Sequence, residues 1–165
     1  MYKSILILVA GILLAHSAPA GSAYDITVPA GETLKVVPAM GVTAPNWATN
    51  EVVNAGLYRR SANGVTYMSV STGTTAAAGS GPSTNAVFAT DNNVTWLRVP
   101  GGTRSAVVVQ LLSGTSVMLG PAPYSTGIVL PAQYASLSLD LRSVDNEVLA
   151  SNTNATASVL SVSIW

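Results

Sequence analysis

Trp47, Tyr58, Tyr67 and Trp96 punctuate a stretch rich in Gly, Thr, Ser and Ala. Rings of this kind act through their flat faces. An exposed indole or phenol meets the C–H face of a pyranose by apolar contact, and its two χ angles leave little entropy to lose on binding. The same residues also serve as packing partners in a small sheet, where aromatic cross-strand pairs supply much of the stability. The candidate carbohydrate-binding set is therefore Tyr58, Trp96, Tyr67 and Trp47. Tyr58 and Trp96 are the two expected at the surface, whereas Trp47, which opens the stretch beside Pro45, is expected to be structural.

Groups for bond-breaking chemistry are scarce. Cysteine is absent, and the single histidine, His16, falls in the N-terminal apolar run. The rest of the chain thus has no thiol or imidazole for a triad, a metal site or general-base work near neutral pH. A calcium site or a glycosidase pair would have to draw on Asp91, Asp140, Asp145 and Glu147. Only Asp145 and Glu147 are close in sequence, and no Asp-x-Asp-x-Asn-Gly loop is present. Serine and threonine abound, but without a base they are not activated nucleophiles. Arg59 and Arg60 are adjacent on a predicted strand, so they point to opposite faces, cannot act as one clamp, and read as solvated. Asn93-Val94-Thr95 and Asn154-Ala155-Thr156 fit the N-glycosylation sequon. These residues call for no enzyme, no metal and no cofactor.

The elements that must position the aromatics are strands. The 165 residues suffice for one domain, or one domain with a small insert, and can bury a real core. Seven basic and seven acidic residues leave no field to attract nucleic acid or an anionic membrane surface. Charged residues at 8% beside 48% apolar residues argue against disorder, and for either a surface buried in an assembly or solubility kept by the plentiful Ser, Thr and Asn. Lys3, the apolar run Ile5 to Ala15 and the small residues of 18–23 have the order of a cleaved secretory signal. A retained N-terminal arm over Tyr2 to Val9 is the other reading of residues 1–23.

Beyond that segment the pattern is β throughout. Ile26 to Val28 and Thr33 to Val37 flank Pro29-Ala30-Gly31-Glu32 and read as a hairpin. Asn63-Gly64 joins Leu57–Arg60 to Val65–Val70, and Val94–Val99 completes a three-stranded meander after the turn-like Asp91-Asn92-Asn93. Thr72 to Asn85 is a long loop within it. Ala106 to Leu112 is a nearly continuous apolar run that suits a strand buried on both faces. Val117–Leu119, Ile128–Leu130, Ala135–Leu141, Glu147–Ala150 and Ala157–Trp165 supply further strands. Such spacing predicts an all-β fold, an antiparallel sandwich or barrel-like body over 24–43 and 100–165 with a three-stranded insert at 44–99.

The order Trp47, Val53-Asn54-Ala55-Gly56-Leu57-Tyr58, Asn63-Gly64-Val65-Thr66-Tyr67, Thr72-Gly73-Thr74-Thr75, Pro82 and Thr90-Asp91-Asn92-Asn93-Val94-Thr95-Trp96 resembles small carbohydrate-binding modules. It is similar to the chitin-binding modules of secreted glycosidases and to a related insert of tailed-phage virion proteins. The resemblance covers about residues 44–99. Asn92-Asn93 stands where the phage version usually carries a Gly, and Asn tolerates the positive φ such a turn needs. The Ala/Thr/Ser/Val-rich ends are similar to phage head decoration or fibre proteins. The resemblance implies a virion structural protein that contacts other virion proteins and copies of itself, with a trimer expected by analogy to fibres, and surface glycans as a further partner. A secreted bacterial carbohydrate-binding or adhesin-like protein is the alternative. Neither nucleic acid nor, in the mature form, membrane is an expected partner.

Overall fold

The computed structural model describes residues 22–84, 86–101, 106–120, 127–131, 133, 135–139 and 147–165. Residues 1–21 of the N-terminal segment with its two readings, His16 among them, and Asp140 and Asp145 lie outside the described residues, while Ser22 and Ala23 begin the first strand. In chain order the strands are β1 (Ser22–Val28), β2 (Thr33–Val37), β3 (Val52–Val53), β4 (Tyr58–Arg60), β5 (Thr66–Ser69), β6 (Gly73–Thr74) and β7 (Phe88–Asp91). They continue with β8 (Val94–Arg98), β9 (Val107–Ser113), β10 (Val117–Gly120), β11 (Ile128–Leu130), β12 (Ser136–Leu139), β13 (Val148–Ser151) and β14 (Ser158–Ile164). The fold is all-β, and no helix of the described residues is long and apolar enough to cross a membrane.

Two open four-stranded antiparallel sheets form the body, ordered β1-β14-β9-β12 and β11-β10-β13-β2. Period-two alternation decides what each buries. Ile26, Val28, Leu160, Val162, Val107 and Val109 of the first sheet share one core with Leu34, Val36, Val117, Leu119 and Ala150 of the second. The body is therefore a sandwich and not a closed barrel. Pro29 to Glu32 is a turn, as expected, but it is a corner between sheets: β1 pairs with β14 and β2 with β13. Leu34 and Val36 must face Ile26 and Val28 across the core, and a flat hairpin would leave both sets on a single unpaired sheet. The Tyr24 hydroxyl fastens this corner by donating to the Val36 carbonyl across the layers at 2.6 Å.

The apolar run of β9 is covered on one face only. Val107, Val109 and Leu111 are fully buried while Val108, Gln110 and Leu112 are half-buried. Its central position between β14 and β12 explains the apolar content without a second covering layer.

The insert carries more strands than its sequence advertises. A four-stranded sheet, β4-β5-β8-β7, is accompanied by a two-stranded ribbon, β3-β6. The fourth strand, β7, forms a tight hairpin with β8 in which Asp91 pairs with Val94 and Asn92 takes φ +55°. Phe88-Ala89-Thr90-Asp91 lacks β-branched alternation, so its strand character comes from pairing with β8. The Thr72–Asn85 loop contains β6. At the expected Asn63-Gly64 hairpin, Gly64 takes φ +82° and Ser61 N donates to the Val65 carbonyl at 3.0 Å.

Candidate functional site

Parity within the β4-β5-β8-β7 sheet sorts the module's aromatics. Tyr58, Met68, Leu97 and Phe88 are mutual partners across the four strands, so they share a face. That face packs on the core of the body. Tyr67, Trp96 and Ala89 share the opposite face, where with Val53 and Val94 they form a second core flanked by Trp47 and Val65.

Trp96 and Tyr67 are thus fully buried, which corrects the expectation of an exposed Trp96. Neither ring offers a face to a ligand. The Tyr67 hydroxyl donates to the Thr84 carbonyl at 2.9 Å. The Trp96 indole N–H is buried without a hydrogen-bond partner.

Tyr58 is half-buried and joins the module to the body. Its hydroxyl accepts from the Ala39 amide at 2.8 Å, and the Lys35 ammonium lies 5.3 Å from its ring centroid. Lys35 Nζ also donates to the Gly56 carbonyl at 3.0 Å and to Glu147 Oε1 at 2.8 Å. One β2 side chain therefore holds both the module and the β13 end of the body. Phe88, which sequence inspection passed over, contributes an edge-to-face contact with Tyr24, their centroids 5.7 Å apart.

Trp47, half-buried like Tyr58, borders open space. It lines a cleft of about 720 Å³ together with Asn46, Thr49, Arg60, Ser61 and Ser80. Its indole Nε1 donates to Asp91 Oδ2 at 2.6 Å, and Asp91 Oδ1 accepts from the Ala76 amide at 3.2 Å. Gly81 closes on the ring: a Cβ there would stand 2.7 Å from Trp47 Cγ, and its φ of +79° suits glycine. The segment before Trp47 runs parallel to β4, with Trp47 N donating to the Arg60 carbonyl and Arg60 N to the Pro45 carbonyl, each at 2.8 Å.

The two arginines diverge as strand geometry requires. Arg60 is exposed at the cleft. Arg59 is half-buried and not simply solvated: its Nε donates to Glu51 Oε2 at 2.8 Å, its Nη2 to Glu51 Oε1, and its Nη1 to the Tyr58 carbonyl at 2.7 Å. The hydrogen bond from Arg59, beside its charge, holds the Glu51 carboxyl below the ordinary carboxylate range despite the opposing effect of burial, and Glu51 likewise raises Arg59. A depressed folded-state pKa stabilises above the unfolded value and is lost as pH falls through the folded one. Acid titration of the native chain is therefore expected to lower its unfolding free energy as pH falls from the ordinary Glu range through the depressed value, and Glu51→Gln to flatten that limb in urea melts.

Asp91 is occupied by the Trp47 indole and Glu147 by Lys35. Among the described residues no three His, Cys, Asp or Glu side chains gather as a metal site would require. Of the two sequons, Asn154 has its amide nitrogen engaged, donating to the Ser116 carbonyl at 2.5 Å and to Asn152 Oδ1 at 2.9 Å. Comparison with known protein families and with characterised proteins found no match to the chain.

Proposed function

We propose that the chain is a non-enzymatic structural protein of a phage virion, a decoration or fibre-like subunit that assembles through its β body and offers its module to surface glycans. The observation that carries the assembly reading is a set of exposed apolar side chains on the body. Ile128, Val129 and Trp165 are 51%, 49% and 48% exposed. Ile128 and Val129 lie on the edge strand β11, and Trp165 follows β14 in the other sheet. Apolar side chains exposed on a chain with so few charges favour burial against a partner surface.

The module supports the presenting role. It is fixed to the body through Lys35, Tyr58 and Phe88 while its cleft, lined by Trp47 and Arg60, stays open. Its acids Glu51 and Asp91 are both committed to partners, which favours a surface that binds over one that catalyses.

Sedimentation of the full chain at micromolar concentration is expected to show self-association, weakened in a Trp165→Ser variant. A stable monomer with no contact on a particle would overturn the assembly reading. The order of charged, apolar and small residues at the N-terminus favours the secreted adhesin-like alternative. Mass spectrometry of the native N-terminus separates the two, with residues 1–23 retained in the virion protein and removed in the secreted one.

A further inference from the structure

The cleft beside Trp47 is chemically lopsided: one aromatic, one charged side chain, several neutral polar groups and no carboxylate among its lining residues. We infer that it binds an acidic saccharide, a sugar ring lying against the Trp47 indole with its carboxylate held by Arg60. This rests on the glycan-contacting role proposed for the module and names the class of sugar.

The indole is prepared for the task. Its nitrogen is tied to Asp91 and Gly81 lies against the ring, so it loses little freedom when a ligand arrives. A rigid apolar plate beside the amide and hydroxyl groups of Asn46, Thr49 and Ser80 matches a pyranose, which is apolar on its C–H faces and polar around its edge. Small residues such as Ala62 and Gly79 leave room for the ring. The volume of about 720 Å³ is that of a small-ligand site.

Arg60 sets the charge of the ligand. Its Nε donates to the Gly64 carbonyl at 3.2 Å, which steadies the guanidinium at the turn of the β4–β5 hairpin. The planar Nη donors then suit a carboxylate, which they grip in paired hydrogen bonds. Arg59, the neighbouring cation, is consumed by Glu51 and does not compete.

A peptide fits poorly. Several main-chain donors along the wall are already used, Trp47 N by the Arg60 carbonyl, Arg60 N by the Pro45 carbonyl and Ala62 N by the Ser80 carbonyl at 3.2 Å, which takes them from a strand-adding peptide. Nucleic acid needs a line of cations along its phosphates, and one arginine in a chain of zero net charge does not supply it.

The test is calorimetric titration of the full chain with oligogalacturonate, its methyl ester and a neutral chito-oligosaccharide of equal length. Oligogalacturonate is expected to bind about tenfold more tightly than the ester, the extra strength of a charge-assisted pair. That preference should shrink with added salt and vanish in Arg60→Gln, whose exposed position leaves the melting temperature unchanged. Equal affinity for acid and ester, or a preference that survives Arg60→Gln, overturns the acidic assignment while a neutral-glycan role for the module stands. Binding of none of the three sugars overturns the inference and the glycan half of the proposed function together, and sedimentation reads the assembly half separately.

Discussion

Trp96→Ala is expected to cost about 3–5 kcal/mol, the usual range for truncating a large aromatic in a core. The side chain is fully buried between Ser69 and Ala89 on its neighbouring strands, among Val53, Tyr67 and Val94. The opposite face of the same sheet carries Met68 and Leu97 in the core of the body. Loosening β8 therefore reaches both cores, and one cooperative unfolding transition should move to lower urea without splitting. Trp96→Phe should cost much less, because it keeps an aromatic ring and deletes an indole N–H that has no hydrogen-bond partner. Equal urea midpoints for the native chain and Trp96→Ala would contradict the burial on which this rests.

The contrast between Trp96 and Tyr58 marks how far the sequence could be read. Alternation of apolar and small polar residues identified most strands of the body and its turns, because period two survives wherever a sheet has one covered face. It did not reveal to which sheet a strand belongs. The Pro29–Glu32 turn looks the same whether it joins paired neighbours or crosses between layers, and the tertiary contact of Tyr24 with Val36 settles it. Phe88–Asp91 gave no alternation at all, since its pairing with β8 and not its composition makes it a strand.

Within the candidate site, parity held more information than chemistry. Trp96 and Leu97 are neighbours in sequence, so they face opposite ways, and Tyr58 falls on the Leu97 side through its pairing with Met68. A reading that asked what covers each face would have found two cores, one on either side of the sheet. Trp47 could not be placed by such reasoning. It lies outside the strands, and its setting depends on Asp91 and Gly81, which are distant in sequence. The Glu51–Arg59 pair is hidden for the same reason, because its eight-residue separation crosses a turn whose path no local pattern fixes.

Asn152→Ala is expected to destabilise the body by about 2–4 kcal/mol, since buried groups stripped of a hydrogen-bond partner cost about 1–3 kcal/mol each. Asn152 is fully buried at the end of the sandwich remote from Trp165. Its Nδ2 donates to the Val28 carbonyl at 3.0 Å and the Thr156 carbonyl at 2.9 Å, and its Oδ1 accepts from Asn154 N at 3.1 Å. Its own amide donates to the Glu32 carbonyl at 2.9 Å, so one residue joins the ends of β1 and β13, the Pro29–Glu32 corner and the approach to β14. Asn152→Asp separates hydrogen bonding from volume. The carboxylate keeps the shape but turns an oxygen toward two carbonyls in a dry site, so its folded pKa must rise above the ordinary ~3.9 of aspartate. A raised carboxyl pKa means that stability is greatest when the acid is protonated and falls as pH climbs from the unfolded value to the folded one. The Asn152→Asp variant should therefore approach the native chain in acid and fall furthest below it at neutral pH, the reverse of the trend expected from Glu51. Urea melts of both proteins across that range measure the gap, and a gap that stays constant with pH would mean that Asn152 fills space without bonding.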